Sequence, residues 1–372
     1  MTLRLGIDAG GTFTDAALID AGDAVVAHAK ALTTHFDLAV GIRDVLDRLP
    51  PERLREVGMV GLSTTLTTNA VVEQRGMPVC VLLAGFTAGQ VERSRLRDLV
   101  GDDPVVLLAG AHDPQGNETA PLDEAAAVRA IEQYHQRVAA FAISGMFGAR
   151  NPAHEIRLRR LVERHSGRPV TCGHELSSAL DAPRRAVTAA VNARIIPFIH
   201  QLIEAVDGIL ADYRIAAPLM VVKGDGSLIN KATALARPVE TVMSGPAASV
   251  IGASFLSGRA NVMVADMGGT TTDIAVVRGG RPAVNPQGAV VGDWPLMIEA
   301  VQVHAVGLGG DSEVRYGGGV GIAIGPRRVV PLSLLGAQYP QIIDKLARQG
   351  NSSANSRHNK FVLRFHDNEV LL

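Results

Sequence analysis

Leu5-Gly6-Ile7-Asp8-Ala9-Gly10-Gly11-Thr12-Phe13-Thr14-Asp15-Ala16-Ala17-Leu18-Ile19 places two short apolar runs around a turn that carries glycine, threonine and aspartate. The runs are rich in branched apolar residues and bounded by glycine, so they predict two adjacent strands. Gly10-Gly11 admit a tight turn in which backbone N–H groups converge without Cβ atoms in the way. Thr12 and Thr14 add hydroxyl donors suited to phosphate oxygens. Asp8, at the end of the first strand, is placed to hold a hydrated Mg²⁺ beside them. Taken alone, the stretch reads equally well as an ordinary hairpin with a Gly-Gly turn.

The stretch occurs twice. Val264-Ala265-Asp266-Met267-Gly268-Gly269-Thr270-Thr271-Thr272-Asp273-Ile274-Ala275-Val276-Val277 repeats it with the same spacing, so Asp8 matches Asp266 and Thr14-Asp15 match Thr272-Asp273. Two hairpins of one design, far apart in the chain, predict two related domains facing one ligand. A phosphate chain is the simplest ligand to need both turns.

The paired D-x-G-G-T-x-T-D turns resemble the two phosphate loops of the actin, heat-shock chaperone and sugar-kinase superfamily. Within it, the chain resembles the ATP-dependent hydantoinase A and 5-oxoprolinase family. Ser63-Thr64-Thr65-Leu66-Thr67-Thr68-Asn69-Ala70-Val71-Val72-Glu73 is similar to the family's T-T-x-x-T-N-A-x-x-E segment. Ser244-Gly245-Pro246-Ala247-Ala248 resembles its S-G-P-A turn, and Gly307-Leu308-Gly309-Gly310-Asp311-Ser312 its G-x-G-G-G-S loop. The resemblance implies an α/β, actin-like ATPase (ribonuclease H-like) fold with one complete domain and part of a second related one. It implies ATP and Mg²⁺ as cofactors, with Asp8 and Asp266 holding the metal through water. Gly10, Gly11, Thr12, Thr14, Gly268, Gly269, Thr270, Thr271, Thr272, Gly309 and Gly310 would then lie against phosphates. One of Asp15 and Asp273 would position the nucleophile, unless both only fix the turns. Thr64, Thr65, Asn69 and Ser244 fall on the substrate side. The implied reaction opens a lactam or cyclic imide, 5-oxoproline- or hydantoin-like, after phosphoryl transfer to the amide oxygen. The implied partner is a hydantoinase B-like subunit or a second copy of the chain. A small-molecule kinase of the same superfamily and a non-catalytic nucleotide-binding or assembly protein are the alternatives.

Composition sets broad bounds. The 372 residues suffice for two domains and a large core. With 47% hydrophobic and 20% charged residues, the chain reads as globular and not disordered. A net charge of -1 gives nothing to attract nucleic acid or an anionic membrane. The two cysteines, Cys80 and Cys172, make no disulfide framework and fit a cytoplasmic setting. No signal peptide and no uncharged run of membrane-spanning length is expected.

Further along, spacing predicts a helix over 37–49, a strand over 57–62 and a helix after the threonines, for which Thr67, Thr68 and Asn69 are possible caps. Strands are expected over 77–83, 105–108, 139–144, 169–172 and 218–222, with helices over 122–136 and 152–165. A long apolar segment spans 184–210. The first domain is expected to carry a mixed five-stranded sheet. His112-Asp113 and His174-Glu175 could serve metal binding or acid–base chemistry, but loop readings come first for both. In Lys223-Gly224-Asp225-Gly226-Ser227, Lys223 could meet an anion and Asp225 could orient a substrate amide or metal; a plain glycine turn fits as well. The expected division is residues 1–255, 256–348 and a weakly patterned tail, 349–372.

Two departures from the family pattern bear on substrate choice. Leu62-Ser63 stand where the family carries His-Gly, and Asp311 replaces the third glycine of the glycine loop. The family's adenosine-contacting turn has no counterpart, so an incomplete second domain and weak nucleotide binding are expected.

Overall fold

The computed structural model describes residues 2–34, 37–316, 322–344, 364–366 and 369–371. In chain order its main strands are β1 (Leu3–Ala9), β2 (Phe13–Ile19), β3 (Val25–Leu32), β4 (Val57–Thr64), β5 (Val79–Ala84), β6 (Val105–Leu108), β7 (Ala111–His112), β8 (Glu118–Ala120), β9 (Ala140–Gly145), β10 (Val170–Cys172), β11 (Leu219–Val222), β12 (Leu228–Asn230), β13 (Val262–Met267) and β14 (Thr272–Arg278).

The first sheet has the order β12-β11-β4-β1-β2-β3. β1, β2 and β3 form an antiparallel meander, β4 runs parallel to β1, and β11 parallel to β4. Six strands thus replace the five expected. The sixth, β12, returns antiparallel onto β11, and its three residues are too few to show an alternation in the sequence. Side chains alternate across β1, so Leu3, Leu5 and Ile7 enter the core while Asp8 faces the other way.

The second sheet, β10-β9-β5-β6, is wholly parallel. Both β5 and β9 are buried along their whole length, as a sheet covered on two faces requires. The helices Glu124–Tyr134 and Ala153–Ser166 pack on one side through Ile131, Leu158 and Val162.

The helix Ala182–Asp212 supplies both cores. Its first half (Ala186, Ala190, Ile195) packs beneath the second sheet, and its second half (Ile199, Val206, Ile209) beneath the first. Pro197 divides the two stretches. Each fully buried aliphatic side chain there contributes about 1.5–3 kcal/mol. By length and apolarity this helix could cross a membrane, yet 72% of its most apolar window is buried in the protein, which makes it a core helix.

The chain separates into two compact units, Met1–Val264 with Ile274–His304, and Ala265–Asp273 with Ala305–Leu372. The base of the second hairpin stays with the first unit because Val264, Ala275 and Val277 share a small core with Val250. The boundary expected at 255–256 falls inside the helix Ser244–Ser257. Most of the tail expected over 349–372 lies outside the described residues, as does the glycine run 317–319.

Candidate functional site

In the first unit the turn between β1 and β2 closes with the Gly10 amide donating to the Phe13 carbonyl at 3.1 Å. Its carbonyls are tied down from behind. Thr33 Oγ donates to the Gly10 carbonyl at 2.8 Å, and the Thr33 amide to the Thr12 carbonyl at 2.9 Å. The Gly11 and Thr12 amides, by contrast, donate to no backbone acceptor among the described residues. Gly11 is half-buried and Thr12 exposed. A turn with its carbonyls occupied and its amides free is suited to an anion.

The second unit builds the same turn. The Gly268 amide donates to the Thr271 carbonyl at 2.8 Å. The Gly310 and Asp311 amides donate to the Gly268 and Gly269 carbonyls, and Arg328 donates to the Thr270 carbonyl at 2.6 Å. Gly309 passes so close that a Cβ there would lie 2.5 Å from the Thr270 backbone nitrogen. Gly309 and Gly310 therefore brace the turn, with the Gly310 amide on the Gly268 carbonyl and the Gly309 amide on Ser312 Oγ. Asp311, the residue in place of the family's glycine, accepts from Arg328 at 2.6 Å. Nothing in the pattern of single residues pointed to Arg328, which lies 17 positions further on.

Two threonines are reassigned. Thr14 is fully buried, with its hydroxyl 3.0 Å from that of Thr33. Thr272, at the matching position, is buried and donates to the Leu308 carbonyl at 2.6 Å. The Thr14 hydroxyl is thus engaged with a side chain and the Thr272 hydroxyl with backbone, both away from the exposed face of the turns. Thr12, Thr270 and Thr271 are exposed at the turns, where the sequence placed them.

Ser63, Asp8, Asp15 and Lys30 are direct neighbours across β4, β1, β2 and β3. Lys30 donates to both carboxylate oxygens of Asp15 at 2.8 Å, an exposed ion pair across β2 and β3. Asp8, half-buried at the carboxyl end of β1, retains a place beside the turn. Ser63 Oγ, next to it on β4, is buried and has no hydrogen-bond partner among the described residues. The sequence flagged Ser63 only as a departure from the family pattern. In the second unit, burial and then the nearby Asp266 hold the Asp273 carboxyl above its usual range.

The threonine segment divides likewise. Ser244 Oγ donates to the Thr64 carbonyl at 2.9 Å and accepts the Thr64 amide at 3.3 Å; both residues are fully buried. They join the end of β4 to the helix Ser244–Ser257. Met243, just ahead, takes a left-handed conformation (φ 67°) at a cost of about 1–3 kcal/mol, held by Thr68 Oγ at 2.9 Å. Thr65 is half-buried, and its amide donates to the Ala9 carbonyl at 3.1 Å. Asn69 is exposed, with its side-chain amide 4.0 Å from where a Gly11 Cβ would stand. Of the expected substrate residues, Thr65 and Asn69 are the two that border the turn.

Asp225 closes its own loop. It accepts from the Ser227 amide and hydroxyl at 2.8 and 2.7 Å, and Lys223 lies 3.3 Å away. Burial works against its charge, but the Ser227 hydrogen bonds and the Lys223 ammonium keep it below the ordinary carboxylate range. Lys223 reaches Glu240 as well, at 3.3 Å, so two carboxylates occupy it.

Neither histidine pair acts as a pair. Asp113 binds its own turn through the Gln115 and Asn117 amides, whereas His112 stacks on His154. His174 and Glu175 lie on a short helix, Gly173–Leu176, in place of the expected loop. His174 bonds the buried Glu155, and Glu175 bonds Arg159.

Three comparisons place this arrangement. Caprolactamase subunit alpha of Pseudomonas jessenii is 30% identical over 354 residues, which cover 87% of this chain and 50% of that protein. Acetophenone carboxylase gamma subunit of Aromatoleum aromaticum is 28% identical over 363 residues, covering 87% and 49%. The crystal structure of ATP-dependent caprolactamase from Pseudomonas jessenii superposes with a TM-score of 0.70 at 30% identity, over 87% of this chain and 51% of that one. The fold is thus the actin-like ATPase (ribonuclease H-like) α/β fold, and the chain spans about half the length of these relatives. Residues 4–166 match the hydantoinase/oxoprolinase N-terminal region and residues 185–332 match hydantoinase/oxoprolinase, so the chain belongs to the hydantoinase/oxoprolinase family.

Proposed function

We propose that the chain is the nucleotide-binding, A-type part of an ATP-dependent enzyme that opens a lactam or cyclic imide, 5-oxoproline- or hydantoin-like. The turn at Gly10–Thr12 carries the proposal, because its fixed carbonyls and free amides suit phosphate oxygens. Asp8 would hold Mg²⁺ through water, and Asp266 takes the matching place in the second unit; both are carboxylates at a strand end, the ligand type Mg²⁺ prefers. Bound Mg²⁺ supplies charge neutralisation on the transferring phosphoryl group. Thr65 and Asn69 border the turn on the substrate side. A cyclic amide is a poor electrophile, and phosphorylation of its oxygen makes the ring carbon open to water. The relatives named as subunits support a partner subunit, which the family resemblance would make hydantoinase B-like. A cytoplasmic setting belongs to the same proposal.

If Asp8 holds the metal, Asp8→Asn weakens Mg·ATP binding about ten- to hundredfold and metal-free ATP binding far less, the scale of one charge-assisted contact. Titration calorimetry with and without Mg²⁺ separates the two, and equal losses would reduce Asp8 to a support of the turn.

Incubation of the chain and a hydantoinase B-like subunit with Mg·ATP and carbonyl-¹⁸O-labelled 5-oxoproline, hydantoin or caprolactam tests the reaction. Label in the released phosphate is expected. Unlabelled phosphate with opened ring would rule out amide-oxygen activation, and a stable phosphorylated acceptor would indicate a kinase. Product formed only with bicarbonate would indicate a carboxylase.

A further inference from the structure

We propose that His112, Glu118 and His154 form a binding site for one divalent transition-metal ion of the Zn²⁺ class. His112 ends β7 and Glu118 begins β8, the two arms of a small hairpin beyond the carboxyl end of β6. His154 stands in the first turn of the helix Ala153–Ser166, which follows β9. The site therefore lies beside the carboxyl edge of the second sheet, where open α/β sheets bind ligands.

Both imidazoles are buried, 5% and 2% exposed, and their centroids are 4.0 Å apart. Neither Nε2 has a hydrogen-bond partner among the described residues. A buried, unpartnered polar nitrogen costs about 1–3 kcal/mol, and His112 Nε2 is such a group, whereas His154 Nε2 faces a carboxylate. Glu118 Oε1 lies 3.4 Å from His154 Nε2. Two donors on one tetrahedral ion, at bonds of about 2.0–2.2 Å, stand about 3.4 Å apart. One donor atom from each of the three residues already falls within 4.8 Å of the others, so closure on an ion needs only small side-chain shifts.

The chemistry selects the metal. Imidazole suits zinc, copper, nickel and iron, whereas magnesium and calcium prefer all-oxygen sets. Arg157 holds the Glu118 carboxylate at 3.3–3.5 Å and orients it. Glu118 is one-third exposed, which leaves solvent access for a water as fourth ligand. The ion would fasten the β7–β8 hairpin to the helix start. The neighbouring group of Glu155, Cys172 and His174 is a poorer site: both Glu155 oxygens already accept hydrogen bonds, and burial keeps the Cys172 thiol protonated.

Co²⁺ titration of the chelator-treated chain tests this, read by visible absorption and then by Zn²⁺ displacement. One tightly held equivalent is expected, unaffected by millimolar Mg²⁺. His112→Ala and His154→Ala should weaken it at least 100-fold, Glu118→Gln about tenfold, and His174→Ala not at all. Glu118, on the hairpin surface, keeps the test valid if a histidine variant fails to fold. No uptake at micromolar Co²⁺, undiminished uptake by Glu118→Gln, or loss in His174→Ala would overturn the site.

Discussion

Gly11→Val is expected to lower affinity for ATP and for inorganic triphosphate about 100-fold while leaving the unfolding temperature unchanged. Only the Asn69 side-chain amide, 4.0 Å away, faces the position where a Cβ would stand, so the fold tolerates the branch. The turn is different one residue earlier. A Cβ on Gly10 would meet the Phe13 carbonyl at 2.9 Å, so substitution there would mix folding with binding. A valine at 11 adds a branched side chain beside the Gly11 and Thr12 amides, crowding any phosphate they hold. Loss of one hydrogen bond to a charged oxygen, net about 1.5–3 kcal/mol, reaches an effect of that size at its upper end. Gly269→Val, with open space around it, should act alike in the second turn. Nucleotide titration together with circular dichroism decides the matter. Wild-type affinity in a folded Gly11→Val chain would remove this turn from the site.

Glu155→Ala should cost about 3–5 kcal/mol of stability, the range for stripping one partner from a buried charged network. Glu155 is wholly buried on the helix Ala153–Ser166. One oxygen accepts the Gly145 amide at 2.8 Å, and the other accepts the His174 amide at 2.8 Å and faces His174 Nδ1 at 2.7 Å. Arg185, also wholly buried, donates to the Ala179 and Gly145 carbonyls at 2.7 and 2.9 Å. Burial lowers the Arg185 pKa, and Glu155 is the main opposing influence. Without Glu155 the guanidinium loses its nearest buried counter-charge and two amides lose their acceptor. Urea denaturation at unchanged m-value would measure the loss. A cost under about 1 kcal/mol would show that water replaces the carboxylate easily.

The hairpins were legible because their signals are local. Period-two alternation set β1 and β2, and adjacent glycines set the turn, with no distant residue needed. The long apolar segment and its Pro197 were legible too, but not the segment's double duty, since the two cores that Pro197 divides form only on folding. The misplacement of Thr14 had a readable cause: it shares its strand parity with Ala16 and Leu18, so it had to enter the core. Thr272 offered no such clue, because Leu308 is brought to it by the chain's return. Long-range pairing hid the rest. His112 needed His154, Glu155 needed His174 and Arg185, and Asp311 needed Arg328, each from a different element. A motif read residue by residue cannot find partners that only topology brings together.

The central claim is that the turn at Gly10–Thr12 holds phosphate through its backbone amides. Amide-resolved NMR of the deuterated chain, titrated with Mg·ATP to millimolar concentration, tests it most directly, because weak binding still moves the peaks. The largest shifts are expected at the Gly10, Gly11 and Thr12 amides, with smaller ones at Thr65 and Asn69, and inorganic triphosphate should reproduce them. Saturable binding that leaves the Gly11 and Thr12 peaks in place would contradict the claim.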